Sequence, residues 1–394
     1  MNETTTKLNR RKFFALGGAG LTSALLPSRA KAYAASNFAT EIKRRLELQT
    51  VGGQCCIIDA SGSVSGQAWG SARLPHSDAP RPMSYFEKLN PGSVSKIVTA
   101  AALLKALYDN PNYTLDSYFA DCLPKHWYVT ENLRLVSFRH LLQHKTGLTT
   151  NHVTSYQGLK ELVGQPIPAR DPVTKEYGYL YRNTNYALMR LLIPYLAGAS
   201  IVQVQPGSNV ALIEQMQEAQ YASAHISYTQ KVIWDKTGVT SNMQCKPLPL
   251  YPALAYGKPA TATNGTDYGD WTLVAGSCGW NASSFQLAYL LWTLHATTKI
   301  MPKWLSDAML SGTNENNNFM GYDKTGTAAN GISYVWKSGD LPYNPDPKKP
   351  YSGELRAKAV VYANGVYAVV MVNSVFDSQD LNDVIRRAFE ATTW

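Results

Sequence analysis

Strand-like segments gather at the two ends of this chain, and its middle is helix and loop. Near the N-terminal end, Phe38, Ile42 and Leu46 recur four apart and predict a helix over 38–50. Cys55-Cys56-Ile57-Ile58-Asp59 reads as a buried strand, and Ser61-Gly62 turns it back as a hairpin through Trp69. A helix is expected from Ser93, with Val94, Ile97, Val98, Ala101, Leu104 and Leu107 at helical spacing after Pro91-Gly92. Order of the same kind returns only at the far end. A helix around Phe285–Leu294 is followed by strand-like runs over 318–327, 331–338, 357–363 and 366–372. Asn364-Gly365 joins the last two as a two-residue hairpin turn. A final helix carries Leu381, Val384, Ile385, Ala388 and Phe389 on one face. Between these ends, Phe138 to His144 and Tyr186 to Leu196 are helical, and 242–270 is irregular. Strands from both ends must share one sheet, so the chain is expected to be α+β. An antiparallel sheet flanked by helices (about 36–105 and 275–394) would carry an inserted all-α lobe (about 106–274), with a cleft between the lobes. A length of 394 residues allows this.

The first 32 residues read as an address. Arg10-Arg11-Lys12-Phe13-Phe14 opens an apolar, Gly-rich run to Leu26, and Ala30-Lys31-Ala32 offers a small-x-small cleavage site. The apolar run is about a dozen residues, whereas a spanning helix needs roughly 20. This resembles a twin-arginine export signal, which implies the export machinery as a partner and a periplasmic or secreted mature protein over 36–394 with no membrane span. Without residues 1–32 the net charge falls from +9 to +4, and no basic stripe is present, so nucleic acid is not expected. The five cysteines (Cys55, Cys56, Cys122, Cys245, Cys278) show no C-x-x-C spacing and read as small buried hydrophobes.

Three short elements carry chemistry. Ser93-Val94-Ser95-Lys96 puts a hydroxyl and an amine on one helix face, where a neutral lysine can take the serine proton. Tyr181-Arg182-Asn183 offers a phenol for proton transfer and an amide to orient Lys96 and a substrate carbonyl. Lys324-Thr325-Gly326 on a strand offers a cation for a substrate carboxylate, and the Thr327 N–H is expected to pair with that of Ser93 as an oxyanion hole. Each element has a decoy: Ser28-Arg29-Ala30-Lys31, Tyr362-Ala363-Asn364, and further Lys-Thr-Gly copies at Lys145 and Lys236. Context selects among them. Ser93 opens an amphipathic helix, Asn364 belongs to a hairpin turn, and Lys324 lies in the strand-rich part.

In this order the three elements resemble those of the class C β-lactamases and their DD-peptidase, D-amino-acid peptidase and esterase relatives. Ser137–Leu148, Tyr181–Tyr186 and Ala275–Trp280 resemble further segments of that family. The resemblance implies a β-lactamase/DD-peptidase-like fold and an exported serine hydrolase without cofactor or metal, acting on an amide, lactam or ester. Ser93 would be nucleophile, Lys96 its base partner and Tyr181 the proton shuttle. Asn183, Lys324, Thr325, Gly326 and Thr327 would bind substrate, a small molecule or a peptidoglycan peptide. Three departures stand out. Arg182 is bulkier than the residue usual there, Asp323 precedes Lys324, and Ala328-Ala329-Asn330-Gly331 is less glycine-rich than usual. Alternation along a strand is expected to keep Asp323 away from the site that Lys324 faces.

Rival chemistries fit less well. His140 and His144 have zinc-like spacing, but Leu141 replaces the acid that follows the first histidine in metalloproteases. Gly62-Ser63-Val64-Ser65-Gly66 puts Val64 where a nucleophile elbow needs serine. A carboxylesterase of the same fold and a non-catalytic cell-wall or β-lactam sensor remain as alternatives. A β-lactamase and a D-Ala-D-Ala carboxypeptidase share every residue named above.

Overall fold

The computed structural model describes residues 28–151, 153–171, 177–239, 242–247, 251–262, 264–341, 353–376 and 380–394, with side chains from residue 32 onward. Its strands are β1 (Gly52–Ile58), β2 (Val64–Arg73), β3 (Arg81–Pro82), β4 (Lys324–Thr327), β5 (Ser333–Leu341), β6 (Leu355–Tyr362) and β7 (Tyr367–Val372). They form one antiparallel sheet in the order β3-β2-β1-β7-β6-β5-β4, so β1 from one end of the chain pairs with β7 from the other. The Asn364-Gly365 turn joins β6 to β7 with Gly365 at φ +82°. The helices are α1 (Ser28–Leu46), α2 (Ser95–Asp109), α3 (Glu131–Arg134), α4 (Phe138–Leu142), α5 (Tyr156–Val163), α6 (Asn183–Leu196), α7 (Val210–Thr229), α8 (Asp235–Thr237), α9 (Ser284–Ala296), α10 (Lys303–Ala308) and α11 (Leu381–Glu390).

The central strands β1 and β7 are buried along their whole length because both faces are covered. One face carries α1 and α11, where Tyr362 and Phe389 stack with ring centroids 3.8 Å apart and Phe38 meets Phe389 edge-on at 5.5 Å. The other face carries α2, α9 and the helical segments of the middle in one continuous apolar cluster. The expected architecture is therefore present, an antiparallel sheet flanked by helices. Two boundaries differ most from expectation. The first helix spans Ser28–Leu46 instead of 38–50, so the expected cleavage triplet Ala30-Lys31-Ala32 falls in its first turn. The rest of the expected export signal, residues 1–27, lies outside the described residues. The strand expected over 318–327 shrinks to Lys324–Thr327, since Asn316 and Asn318 hold the preceding chain in turns. Among the described residues no helix is long and apolar enough to cross a membrane.

One contact fixes the sheet to the helical side. Ser93 lies in a 3-10 turn (Gly92–Val94) that leads into α2, and β5 packs directly on that turn. A methyl built on Gly339 of β5 would sit 1.9 Å from the Pro91 carbonyl oxygen and 3.0 Å from the Ser93 nitrogen. Only a residue without Cβ fits there, and Gly92 opposite it sits at φ +54°, where glycine is also favoured. Gly339→Ala is therefore expected to push strand and turn apart. Overpacking of this kind costs about 1–3 kcal/mol, a drop of several degrees in melting temperature. A differential scanning calorimetry trace unchanged from wild type would contradict this packing.

Candidate active site

Ser93 enters from the turn before α2, and α2 itself supplies Lys96 one turn on. Apart from Lys105 and its C-terminal end, α2 is buried all round, so the Lys96 amine is carried into the interior. Its Nζ lies 2.9 Å from Ser93 Oγ, 2.7 Å from Asn183 Oδ1 and 2.6 Å from the Ser277 carbonyl oxygen. As an ammonium it donates to all three. With one proton lost it keeps Asn183 and Ser277 as acceptors and turns its lone pair on the Ser93 hydroxyl. Burial, joined by the Lys337 charge, holds Lys96 below the ordinary lysine value.

Tyr181 and Asn183 stand where the chain enters α6. The Tyr181 hydroxyl donates to Ser93 Oγ at 2.8 Å, and the Asn183 N–H is held by Asn151 Oδ1 at 2.9 Å. Burial pushes the phenol up, but the Lys337 and Lys96 charges together outweigh it, and Tyr181 ends below its ordinary value. The two ammonium nitrogens lie 5.0 and 5.3 Å from its ring centroid. The bulky Arg182 bends away from the nucleophile: its Nε donates to the Thr149 carbonyl and its Nη1 to the Tyr181 carbonyl.

The third element is displaced from its expected place. Lys324 is exposed on β4, one strand beyond β5, and pairs with Trp336. Asp323, expected to face away from the site, faces it instead. Its Oδ1 accepts from the fully buried Lys337 at 2.6 Å and its Oδ2 from the Ser338 N–H at 2.8 Å. Strand alternation then turns Lys324 to the other face. Thr325 bonds the Tyr334 carbonyl, a methyl on Gly326 would meet the Tyr334 ring, and Thr327 pairs with Ser333 at the end of β5 far from Gly339. The stretch at Ser93 is Lys337-Ser338-Gly339. The sequence signal was available, since Lys-Ser-Gly differs from Lys-Thr-Gly by one methyl group and sits in a longer strand. Nothing local, however, shows that β5 rather than β4 borders the nucleophile. The less glycine-rich run after Thr327 is likewise remote, with the Ala329 N–H bonded to Glu390.

β5 also turns a backbone N–H toward the Ser93 turn. The Trp336 carbonyl and the Ser338 N–H both point to the β4 side, where Asp323 meets them. Two residues on, the Asp340 N–H points to the same side, beyond the last residue that β4 pairs. A methyl on Gly92 would lie 3.0 Å from the Asp340 nitrogen, and one on Gly339 lies 3.0 Å from the Ser93 nitrogen, so the two N–H groups meet across this glycine contact. Behind the strand edge, buried Lys358 donates to Ser338 Oγ at 2.8 Å. A cavity of about 770 Å3 opens there between Ser338, Asp340, Arg356, Lys358 and the start of α11.

The histidine pair has divided roles. His140 caps its own helix through Ser137. His144 is fully buried with its ring 4.5 Å from Tyr181 and 5.1 Å from Tyr186, and its Nδ1 takes the Arg182 N–H. Burial and the two lysine charges push its pKa well down, so it is a neutral wall of the site. The Tyr362-Ala363-Asn364 decoy lies on the α11 side of the sheet, and the Lys145 copy bonds Asn318. All five cysteines carry free thiols, four of them buried. The half-buried Cys278 follows the Ser277 carbonyl that holds Lys96.

The charges make a signed prediction. Lys337 lowers both Lys96 and Tyr181, so removing it lets both pKa values rise. If Ser93 reacts with the neutral amine as its base, the rate rises with pH through the Lys96 pKa. In Lys337→Met that ascending limb should move to higher pH in a fluorophosphonate labelling profile. A limb that stays in place or moves to lower pH would contradict the electrostatics.

Comparisons with known proteins bear on the fold. Residues 38–205 match the family model "Beta-lactamase", a segment that holds Ser93, Lys96, Tyr181 and Asn183. The fold is similar to that of SurE, with 17% identity over 93% of this chain and 78% of that one and a TM-score of 0.65. It is also similar to a D-stereospecific amidohydrolase from Streptomyces sp., with 15% identity over 90% and 99% and a TM-score of 0.64. A D-amino acid amidase from Ochrobactrum anthropi in complex with L-phenylalanine amide gives 14% identity, 91% and 98% coverage and a TM-score of 0.65. No curated protein sequence matches at a significant level. The sheet, the helices on both its faces and the segment that matches the family model together give this chain the β-lactamase-like fold.

Proposed function

We propose that this protein is an exported serine hydrolase that opens an amide, lactam or ester bond through an acyl-enzyme on Ser93. The observation that carries the reading is one oxygen with two proton partners: Ser93 Oγ lies 2.9 Å from Lys96 Nζ and 2.8 Å from the Tyr181 hydroxyl. Neutral Lys96 takes the Ser93 proton as Oγ bonds the substrate carbonyl carbon, and the carbonyl electron pair moves onto oxygen. The Ser93 and Asp340 N–H groups receive that charge. As the tetrahedral intermediate collapses, the bond to the leaving nitrogen or oxygen breaks and Tyr181 gives that atom its proton. The Lys96 ammonium, beside Tyr181 at the Ser93 oxygen that both contact, then returns a proton to Tyr181, and the phenol is restored. Water then attacks the ester, gives its proton back through Tyr181, and releases the acid and free Ser93.

The substrate is proposed to be a D-amino-acid amide or D-Ala-terminated peptide, or a β-lactam of matching shape. The fold neighbours named as D-amino acid amidase and D-stereospecific amidohydrolase support the first class. A substrate carboxylate would meet Ser338 and Lys358 behind the strand edge, in place of the outward Lys324. Export rests on the paired arginines and apolar run of residues 10–26, and places the enzyme in the periplasm or outside the cell.

Intact-mass spectrometry of the mature protein with benzylpenicillin separates the outcomes. An adduct that persists on wild type and is missing from Ser93→Ala is expected for a peptidase, and hydrolysed drug with little adduct for a β-lactamase. Lys358→Ala should slow acylation by penicillin by about tenfold, the loss of a charge-assisted hydrogen bond, and leave a neutral ester substrate unaffected. Equal penicillin reactivity in wild type and Ser93→Ala would end the proposal. Turnover of neutral esters alone would move the assignment to a carboxylesterase.

A further inference from the structure

Behind the loop that carries Ser277, four polar side chains are fully enclosed and lack hydrogen-bond partners at most of their polar atoms. Arg190 of α6 is completely buried. Its Nη2 donates to the Thr154 carbonyl at 2.9 Å, but Nε and Nη1 meet nothing. Its nearest carboxylate, Glu218, is 3.9 Å away and already accepts from the Tyr156 N–H. His225 of α7 is buried with neither ring nitrogen bonded, and Thr229, one turn later on the same face, has a buried hydroxyl without a partner. The Trp280 indole N–H is likewise buried and unbonded, with its ring 6.4 Å from that of His225.

These side chains share one region. The Arg190 charge acts on His225 strongly enough to help lower its pKa to about 3, second to burial itself. A methyl built on Gly276 would lie 3.5 Å from the Arg190 nitrogen, so the strand of chain leading to Trp280 lies against α6 at Arg190. α7 ends at Thr229 in a π-turn over Gln230–Trp234, a wide turn that often marks a binding site. Polar side chains thus stand among the apolar ones where α6 and α7 enter the core.

An unsatisfied buried donor costs about 1–3 kcal/mol, and the Arg190 guanidinium meets its counter-ion Glu218 only at the long distance of 3.9 Å. The unbonded atoms are mostly donors: two guanidinium positions, an indole N–H, a hydroxyl and one imidazole N–H. Water would satisfy donors but bring no negative charge closer to the guanidinium than Glu218. A small anion does both. We propose that Arg190, His225, Thr229 and Trp280 form an internal binding site for a small monovalent anion of the halide class.

Two measurements on the full chain test the site. Crystals soaked in bromide should show an anomalous peak within hydrogen-bond distance of Arg190 Nε or Nη1. Replacing gluconate by chloride at equal ionic strength should raise the melting temperature by at least about 2 °C, since a ligand of the native state stabilises by mass action. Arg190→Met should lose that response, and if this variant does not fold the wild-type measurements still decide. Water alone at the position overturns the proposal. So does melting that ignores the halide, and a bromide peak without a melting response would be an adventitious ion only.

Discussion

The backbone of Gly339 against the turn that holds Ser93 is the contact on which the rest of the site depends. It brings a strand from the C-terminal end of the chain against a helix from its first third. Because neither partner has a side chain at the point of contact, the Ser93 and Asp340 nitrogens lie close to the facing glycines. The same contact sets Lys337 over Tyr181. A sheet built from both chain ends and a serine in the turn before the first inward helix are therefore one arrangement. The β1–β7 pairing closes the sheet, and the glycine contact aims its edge.

Electrostatics suit this geometry to the proposed chemistry. Two lysines near one phenol would be costly if both were unpaired. Lys337 is instead tied to Asp323 and stays charged, while Lys96 has only neutral oxygens for partners. A fixed positive charge thus stands beside a titratable one. It pushes Lys96 toward the neutral amine and Tyr181 toward the phenolate, the forms that accept protons. His144 closes the pocket without adding charge because the same two lysines keep it neutral.

Much of this was legible in the sequence because it is local. Ser93 and Lys96 are three residues apart on a helix, Tyr181 and Asn183 flank a helix start, and the apolar face of α11 follows helical spacing. The antiparallel sheet and its helical insertion followed from where the strand-like runs fall. What depended on sheet order was not legible. Lys324-Thr325-Gly326 matched the expected letters, but β4 is an edge strand and β5 lies between it and the nucleophile. Alternation was applied correctly to Asp323 and Lys324, yet which of the two faces the site depends on the neighbouring strand. The Ser277 carbonyl could not be found from residue types at all, since every residue has one and only the fold selects it.

The account stands on Ser93 being the group that becomes acylated. Peptide mapping by tandem mass spectrometry after fluorophosphonate treatment tests this directly. The account predicts a single modified site, at Ser93, with labelling lost in Lys96→Ala. Modification at another serine, or labelling that survives without Lys96, would contradict it.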